Sequence, residues 1–255
     1  MATEIILQFD GPIARVRMST ENGVHVFSQE TRRQLAETLD QLEADDNSQV
    51  VIFSSAGRTF CAGADVYELR SLNEQTAYTI AREGQELMSR IERLRPVTIA
   101  AIHAACAGGG CELSLACDLR FGAGGCRMGL PETSIGVIPG WGGTVRTARL
   151  FGPSVAKRIV LAAELWPAEA ALDLGLLHEV FPDDEFQTAV EQEAARLLAR
   201  GPIGLETAKR LLNSFVPGDI DLQLEQEAVA FAACYATGQP QEGVNAFLEK
   251  RAPKW

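Results

Sequence analysis

The stretch AGGGCELS, residues 107–114, places three consecutive glycines before a cysteine and a glutamate. It follows the apolar run Val97–Ile102, which has the length and the β-branched residues of a buried strand. Glycines between a strand and a helix let a ligand approach the backbone closely, and the first N–H groups of the helix point unpaired toward one spot. Such groups suit developing negative charge. The alternative interpretation is that the glycines only allow close packing and that Glu112 complements the helix dipole.

A second glycine-rich segment, PETSIGVIPGWGGT, spans residues 131–144. Its acid, Glu132, lies in a predicted loop after the strand-like run Arg127–Leu130, and the glycines after Pro139 lead into another helical pattern. A single carboxylate in a loop is more often solvated than functional. Alone, this segment therefore favours an ordinary exposed loop.

A third segment, SAGRTFCAGAD, spans residues 55–65 after the apolar run Val50–Phe53. It is rich in turn-forming residues, and it offers backbone N–H groups around Ala64 and a cation at Arg58. Taken by itself, the segment predicts only a loop after a buried strand.

The composition is that of an ordinary globular protein, with 255 residues of which 46% are hydrophobic and 22% charged. The net charge of −11 argues against general nucleic-acid binding, because phosphate contacts need a basic surface. The six cysteines form no C-x-x-C pair and only three histidines are present, so no metal site is predicted. We find no secretory signal and no membrane-spanning run, and we expect a soluble cytoplasmic protein with reduced thiols.

Strand-like and helix-like segments alternate in the first half of the chain, whereas helical patterns dominate from Thr144 onward. A hairpin is predicted around residues 10–12, and Ser28 is the predicted N-cap of the first helix. Because no Gly/Ser-rich linker is present, we expect an α/β core with the active site (1–195) to pack against a C-terminal helical region (196–255). The predicted strands are Ile5–Phe9, Ile13–Met18, Val50–Phe53, Val97–Ile102 and Leu119–Phe121. The predicted helices are Glu30–Leu42, Glu74–Leu94, Leu113–Ala116, Thr144–Leu161, Pro167–Leu172, Glu185–Ala199, Pro202–Leu212, Leu222–Thr237 and Gln241–Lys250.

Other catalytic motifs are absent or incomplete. Neither the dinucleotide pattern G-x-G-x-x-G after a strand nor the nucleoside-triphosphate pattern G-x-x-x-x-G-K-[ST] occurs. Residues Ser154–Lys157 match S-x-x-K, but the companion motifs of that class are missing. His103 follows a predicted buried strand, and we expect a hydrogen-bonded core residue there rather than a catalyst.

Four segments, each weak alone, together resemble the crotonase superfamily, the enoyl-CoA hydratase/isomerase family. They occur in the family's order and spacing across essentially the whole chain, at Phe60–Asp65, Ala107–Asp118, Pro131–Thr144 and Phe247–Arg251. The resemblance implies an α/β fold in which a crotonase-like spiral of ββα turns precedes a helical region that builds homotrimers, often paired into homohexamers. It also implies acyl-CoA substrates, with coenzyme A as part of the substrate and without a metal or redox cofactor.

The resemblance also implies roles for single residues. The backbone N–H groups of Ala64 and Gly109 would hold the thioester oxygen, and Gly140 would contribute a backbone N–H near the reacting water. The implied coenzyme A contacts are those of Arg58, Ala62, Asp65 and, from a neighbouring subunit, Lys250.

Two glutamates decide the reaction within this family. Members with both acids, here Glu112 and Glu132, typically hydrate a trans-2-enoyl thioester, whereas isomerases and hydrolases commonly lose or replace one or both. The chemistry agrees, because one carboxylate can take a proton from water while the other delivers one to carbon. We therefore predict an enoyl-CoA hydratase-like lyase of fatty acid metabolism. The alternatives are isomerisation or thioester hydrolysis on the same fold, and an idle member that serves as an RNA-binding or scaffold protein.

Three features depart from the family pattern. The run Thr20–Ser28 lacks a proline and an Asn-Ala-Leu-like sequence, Tyr67 replaces a lysine that commonly contacts the pyrophosphate, and Trp141 stands where the residue is often smaller. These changes leave the length of the acyl chain open.

Overall fold

The computed structural model describes residues 3–214, 242, 246, 249–251 and 254 of the chain. Ten strands lie within these residues and form two sheets. The strands are β1 (Glu4–Asp10), β2 (Ile13–Ser19), β3 (Val50–Ser55), β4 (Thr59–Cys61), β5 (Val97–Ile102), β6 (Ala105–Ala107), β7 (Leu119–Ala123), β8 (Arg127–Gly129), β9 (Trp166–Pro167) and β10 (Glu179–Phe181).

Eight α-helices and one 3-10 helix, Glu132–Ile135, accompany the sheets in the described part of the chain. The α-helices are α1 (Gln29–Glu43), α2 (Val66–Arg70), α3 (Glu74–Arg93), α4 (Gly109–Ala116), α5 (Gly143–Ala162), α6 (Ala168–Asp173), α7 (Phe186–Leu198) and α8 (Pro202–Ser214). Ser28 caps α1 as predicted, because its side chain accepts a hydrogen bond from the Thr31 N–H. Helix α5 is kinked at Gly152, directly before Pro153. Within these residues, no helix is long and apolar enough to cross a membrane.

The larger sheet contains six strands in the order β1-β2-β3-β5-β7-β10. Strands β1 and β2 form the predicted antiparallel hairpin, whereas the pairs from β2 to β10 are parallel. Alternate residues of β3 enter two separate apolar clusters, with Val51 and Phe53 in one and Val50 and Ile52 in the other. A parallel strand with both faces covered is apolar at every position, which is why this run could be predicted as buried.

The smaller sheet has the strand order β4-β6-β8-β9. Strands β4, β6 and β8 directly follow β3, β5 and β7 of the larger sheet, and each is followed by a helical segment. This repeated turn is the predicted ββα spiral. The sequence did not predict β4 or β6, because three residues are too few to show a period of two. Pairing of β4, β6 and β8 brings the segments 55–65, 107–114 and 131–144 together at one place.

The C-terminal half is less uniformly helical than predicted, since β10 pairs in parallel with β7 in the larger sheet. Helix α8 packs on α3 and β5, and the Lys209 Nζ donates a hydrogen bond to the Pro96 carbonyl and pairs with Asp118. The helices predicted over Leu222–Thr237 and Gln241–Lys250 lie wholly or largely outside the described residues. The division of the chain at 195/196 therefore stays a prediction.

Candidate active site

Glu112 lies in the first turn of α4, a helix in which every residue is buried. The helix begins after Gly108, whose φ of +52° favours glycine. Glu112 is 2% exposed, and its Oε1 accepts hydrogen bonds from the Trp141 and Gly143 N–H groups, both at 2.8 Å. Burial raises the pKa of Glu112 to about 7, although the two N–H groups and the Arg146 guanidinium oppose this shift. The acid is therefore fixed in one orientation and titrates near neutrality.

Glu132 begins the 3-10 helix and is half-buried. Its Oε2 is buried and has no hydrogen-bond partner among the described residues. Burial, and then the charge of Glu112, raise the pKa of Glu132 to about 7. The two acids therefore interact electrostatically, and the interpretation of this segment as an ordinary exposed loop is wrong for Glu132.

Glycines provide the space beside both carboxyl groups. A Cβ at Gly108 would lie 2.9 Å from Glu132 Oε1, and a Cβ at Gly143 would lie 3.0 Å from Glu112 Oε1. Either contact is closer than real Cβ atoms usually make, so a side chain at these positions would displace an acid. Close packing and acid placement, which the sequence offered as alternatives, therefore occur together here.

The predicted oxyanion donors, Ala64 and Gly109, lie on two segments that touch. Phe27 forms an isolated parallel bridge with Ala64, donating its N–H to the Gly63 carbonyl and accepting from the Asp65 N–H. In this pairing the Ala64 N–H is directed away from Phe27. A Cβ at Gly63 would lie 3.2 Å from the Gly109 nitrogen. Neither the Ala64 N–H nor the Gly109 N–H donates a hydrogen bond to another described residue, so both are available to a ligand.

The Trp141 indole fills the space behind Gly109. It is buried between α3 and the start of α4, where a Cβ at Gly84 would lie 2.2 Å from the indole Cγ and a Cβ at Gly109 would lie 2.7 Å from Cζ3. Sequence reasoning missed this contact. The available signal was Gly84 inside a long helical pattern. Glycine there costs about 1 kcal/mol of helix stability relative to alanine, so its presence indicates a neighbour that leaves no room for a side chain.

Comparison with known proteins identifies the family. A family model described as enoyl-CoA hydratase/isomerase matches residues 8–255. The chain belongs to this family. The crystal structure of an enoyl-CoA hydratase from Bacillus anthracis superposes with a TM-score of 0.92 and 32% identity, covering 98% of both chains. The fold is therefore that of the crotonase superfamily, as the four sequence segments predicted.

Two relatives of similar length carry hydratase names. The short-chain-enoyl-CoA hydratase of Clostridium acetobutylicum is 31% identical and covers 97% of this chain and 95% of its own length. The 2,3-dehydroadipyl-CoA hydratase of Escherichia coli is 34% identical, with 86% of each chain covered. The two names specify different acyl groups, so membership of the family does not select one.

In this member of the enoyl-CoA hydratase/isomerase family, the residues predicted to contact coenzyme A lie at or near the surface. Arg58 and Ala62 are exposed. Asp65 caps α2, because its side chain accepts a hydrogen bond from the Tyr67 N–H at 2.8 Å. Tyr67, in place of the family lysine, is 81% exposed. Lys250 is also exposed, and all of these coenzyme A contacts stay predictions.

Two histidines support the segment of residues 55–65. His103 is hydrogen-bonded as predicted, with its Nε2 3.0 Å from the Gly57 carbonyl oxygen. It is half-buried and not a core residue, because it lies one position beyond the end of the buried strand β5. His25, which the sequence did not single out, is buried and places its Nδ1 2.8 Å from the Thr59 carbonyl oxygen. Within the described part of the chain, no group of three or more His, Cys, Asp or Glu residues is arranged to hold a metal ion.

Proposed function

We propose that the chain catalyses the reversible addition of water to a 2-enoyl-CoA, giving a 3-hydroxyacyl-CoA. The observation that carries this proposal is the pair of acids beside the glycine-rich turns. Glu112 accepts two backbone hydrogen bonds, whereas the buried Oε2 of Glu132 has none from a described residue. Two acids in different protonation states can accept one proton and deliver another in a single turnover.

The Ala64 and Gly109 N–H groups are proposed to bind the thioester oxygen. As water attacks C3, electrons move from the double bond toward the carbonyl, and this oxygen becomes the oxygen of an enolate. Hydrogen-bond donors that are already oriented toward the developing charge need no reorganisation at the moment of reaction. Their contribution is therefore larger in the transition state than in the bound substrate.

Glu112 is proposed as the base and Glu132 as the acid. The two N–H donors and Arg146 favour the carboxylate form of Glu112, which takes a proton from the attacking water. Burial and the Glu112 charge favour the protonated form of Glu132, whose proton goes to C2 as the enolate collapses. After one turnover Glu112 holds the proton and Glu132 the charge, and proton transfer from Glu112 to Glu132 restores the pair. Such a pair titrates as a unit.

The remaining substrate contacts are proposed from the family positions. The Gly140 N–H is assigned to the reacting water, and a hydrogen bond of 2.9 Å from Gln85 Nε2 to the Gly140 carbonyl helps to hold that turn in place. The groups assigned to coenzyme A are Arg58, Ala62, Asp65 and, from a neighbouring subunit, Lys250.

Hydration of crotonyl-CoA is the direct test. We expect loss of the ultraviolet absorbance of the enoyl thioester, with 3-hydroxybutyryl-CoA as the product. Release of a free coenzyme A thiol would indicate a hydrolase, and a shifted double bond would indicate an isomerase. If a panel of enoyl-CoA substrates of different length and branching gives only those products, the hydratase proposal is wrong. A gel shift with RNA at physiological salt tests the RNA-binding alternative.

Arg58→Ala is expected to raise KM for crotonyl-CoA more than it lowers kcat. A phosphate contact is made equally in the ground state and the transition state, so its loss weakens binding uniformly. The matched control is Arg196→Ala, which removes an exposed cation from α7. An unchanged KM, or an equal loss with a pantetheine thioester that lacks the nucleotide, would remove Arg58 from the coenzyme A site.

A homotrimer, alone or paired into a homohexamer, is proposed as the assembly, with a cytoplasmic location and a role in fatty acid metabolism. The large apolar side chains of Ile135, Ile138 and Val145 are mostly exposed, and a second copy could cover such a surface. Light scattering of the purified protein is expected to give three or six times the chain mass. A monomer at micromolar concentration would contradict the proposal.

A further inference from the structure

The orientation of the Glu112 carboxylate depends on the turn that precedes α5. Both of its backbone hydrogen bonds come from this turn, through the Trp141 and Gly143 N–H groups. A displacement of the turn would therefore move the carboxylate itself. Whatever fixes the turn also fixes the proposed base.

Two side-chain contacts tie the turn to α3: the hydrogen bond from Gln85 to the Gly140 carbonyl and the buried guanidinium of Arg146. Arg146 is 8% exposed, and its Nη1 donates to the Trp141 carbonyl at 3.0 Å. Its Nε and Nη2 donate to the same Glu92 oxygen at 3.2 and 3.0 Å, and Nη2 also lies 3.3 Å from Ser89 Oγ. A Cβ at Gly142 would lie 2.2 Å from Arg146 Nη1. Any side chain at position 142 would therefore collide with the guanidinium, which explains the glycine there.

Arg146 is buried and its partner Glu92 is half-buried. Desolvation of the guanidinium offsets part of the attraction between the two charges, so the pair is not explained by stability alone. The planar guanidinium can serve the turn and α3 at the same time, which a lysine ammonium cannot do in the same geometry. The positive charge also favours the ionised form of Glu112. Both effects act on the proposed base.

The charged groups that face Glu112 are few in the described part of the chain. Glu132 comes from the 3-10 helix and Arg146 from α5, while Glu92 of α3 partly neutralises Arg146. The neighbouring strands β4 and β6 contribute the thiols Cys61 and Cys106, whose pKa values are raised by burial, so they remain neutral.

We infer that Arg146 is a positioning residue for hydration: it ties the Trp141 carbonyl to Glu92 and Ser89 of α3, and thereby fixes the N–H groups that orient the Glu112 carboxylate. This inference rests on the proposed function of Glu112 as the base. Arg146 acts through the turn and through its charge, without touching the substrate.

Arg146→Met is expected to lower kcat by about 10²-fold, because a misplaced catalytic group can cost that much. It also removes a positive charge near Glu112, so the pKa of Glu112 rises. Because the base must be ionised, the acidic limb of the kcat/KM profile moves to higher pH. The matched control is Arg149→Met, which removes the other arginine paired with Glu92, at 3.0 Å, and is expected to leave both kcat and the limb unchanged.

Glu92→Gln is expected to shift the pKa of Glu112 in the opposite direction. It removes the negative charge that neutralises Arg146, so the pKa of Glu112 falls and the acidic limb moves to lower pH. A purely structural role for the ion pair would not move the limb in opposite directions in the two variants. Limbs that stay in place, or that move the same way in both variants, would overturn the inference.

Two further measurements keep the outcomes distinct. If Arg146→Met does not fold, Arg146→Lys is tested instead, because lysine retains the charge without the forked contacts. We expect a lower kcat with the acidic limb at its wild-type pH. A wild-type kcat in Arg146→Lys would show that Arg146 does not position the Glu112 carboxylate. Carbon-13 NMR of labelled glutamate carboxyl groups, assigned with Glu112→Gln, follows the titration of Glu112 without any reaction. Absence of hydration of every enoyl-CoA in the panel by the unmodified protein would thus reject the proposed function. Unchanged Glu112 titration in the Arg146 and Glu92 variants would reject this inference.

Discussion

Glu112→Gln is expected to lower kcat for enoyl-CoA hydration by at least about 10²-fold, the low end of general acid–base contributions. The amide oxygen of glutamine can still accept the Trp141 and Gly143 hydrogen bonds, so we expect the fold to stay intact. The amide cannot take a proton from water, which is the step assigned to this residue.

Glu132→Gln is expected to cause a loss of similar size, because an amide cannot deliver the proton that C2 requires.

The measurement is kcat on crotonyl-CoA and on a wider enoyl-CoA panel, with circular dichroism and thermal melting to establish folding. Glu169→Gln is the matched control, since it removes one exposed glutamate charge from α6. Near wild-type hydration by Glu112→Gln or by Glu132→Gln would show that the assignment of that residue is wrong.

Glu112→Gln is also expected to change the pH dependence of the residual activity. Burial and the charge of Glu112 both raise the pKa of Glu132, so in Glu112→Gln the pKa of Glu132 should fall while burial still holds it above its ordinary value. Because Glu132 must be protonated to act as the acid, the alkaline limb of the residual activity should move to lower pH. A limb at its wild-type position would show that the two acids do not interact as proposed.

Much of the fold could be predicted because its central strands are apolar at consecutive positions. Val97–Ile102 was predicted with the bounds that the structure shows, and every residue of it is buried. The hairpin of β1 and β2 followed from the turn residues between two short apolar runs. The resemblance of four separate segments then supplied the spiral, which no single segment could indicate.

What the sequence did not reveal depends on contacts between distant residues. Strands β4 and β6 are too short to show a period, and they exist because they pair with one another and with β8. Glu132 looked like a loop carboxylate, because nothing local shows that Gly108 and Glu112 will lie beside it. No sequence pattern singled out Arg146, since its partner Glu92 is 54 positions away. Long-range pairing of this kind leaves no local periodicity.

Replacing Gly109 tests the oxyanion donor, but the structure shows that a single substitution would be ambiguous. A Cβ at this position would lie 2.7 Å from Cζ3 and 3.0 Å from Cε3 of the Trp141 indole. Gly109→Val or Gly109→Pro is expected to abolish most activity, yet the loss would combine crowding with damage to the donor. The background variant Trp141→Leu removes the indole and separates the two effects.

In that background, Gly109→Ala keeps the backbone N–H and Gly109→Pro deletes it. Position 109 is the first residue of α4, where proline is tolerated because its missing N–H has no partner within the helix. We expect the proline double variant to have a kcat about 10²–10³-fold below that of the alanine double variant, the usual cost of one oxyanion donor. Circular dichroism should show both folded. If the two double variants are equally active, Gly109 is not an oxyanion donor. If, in addition, both are much less active than Trp141→Leu alone, Gly109 serves packing only.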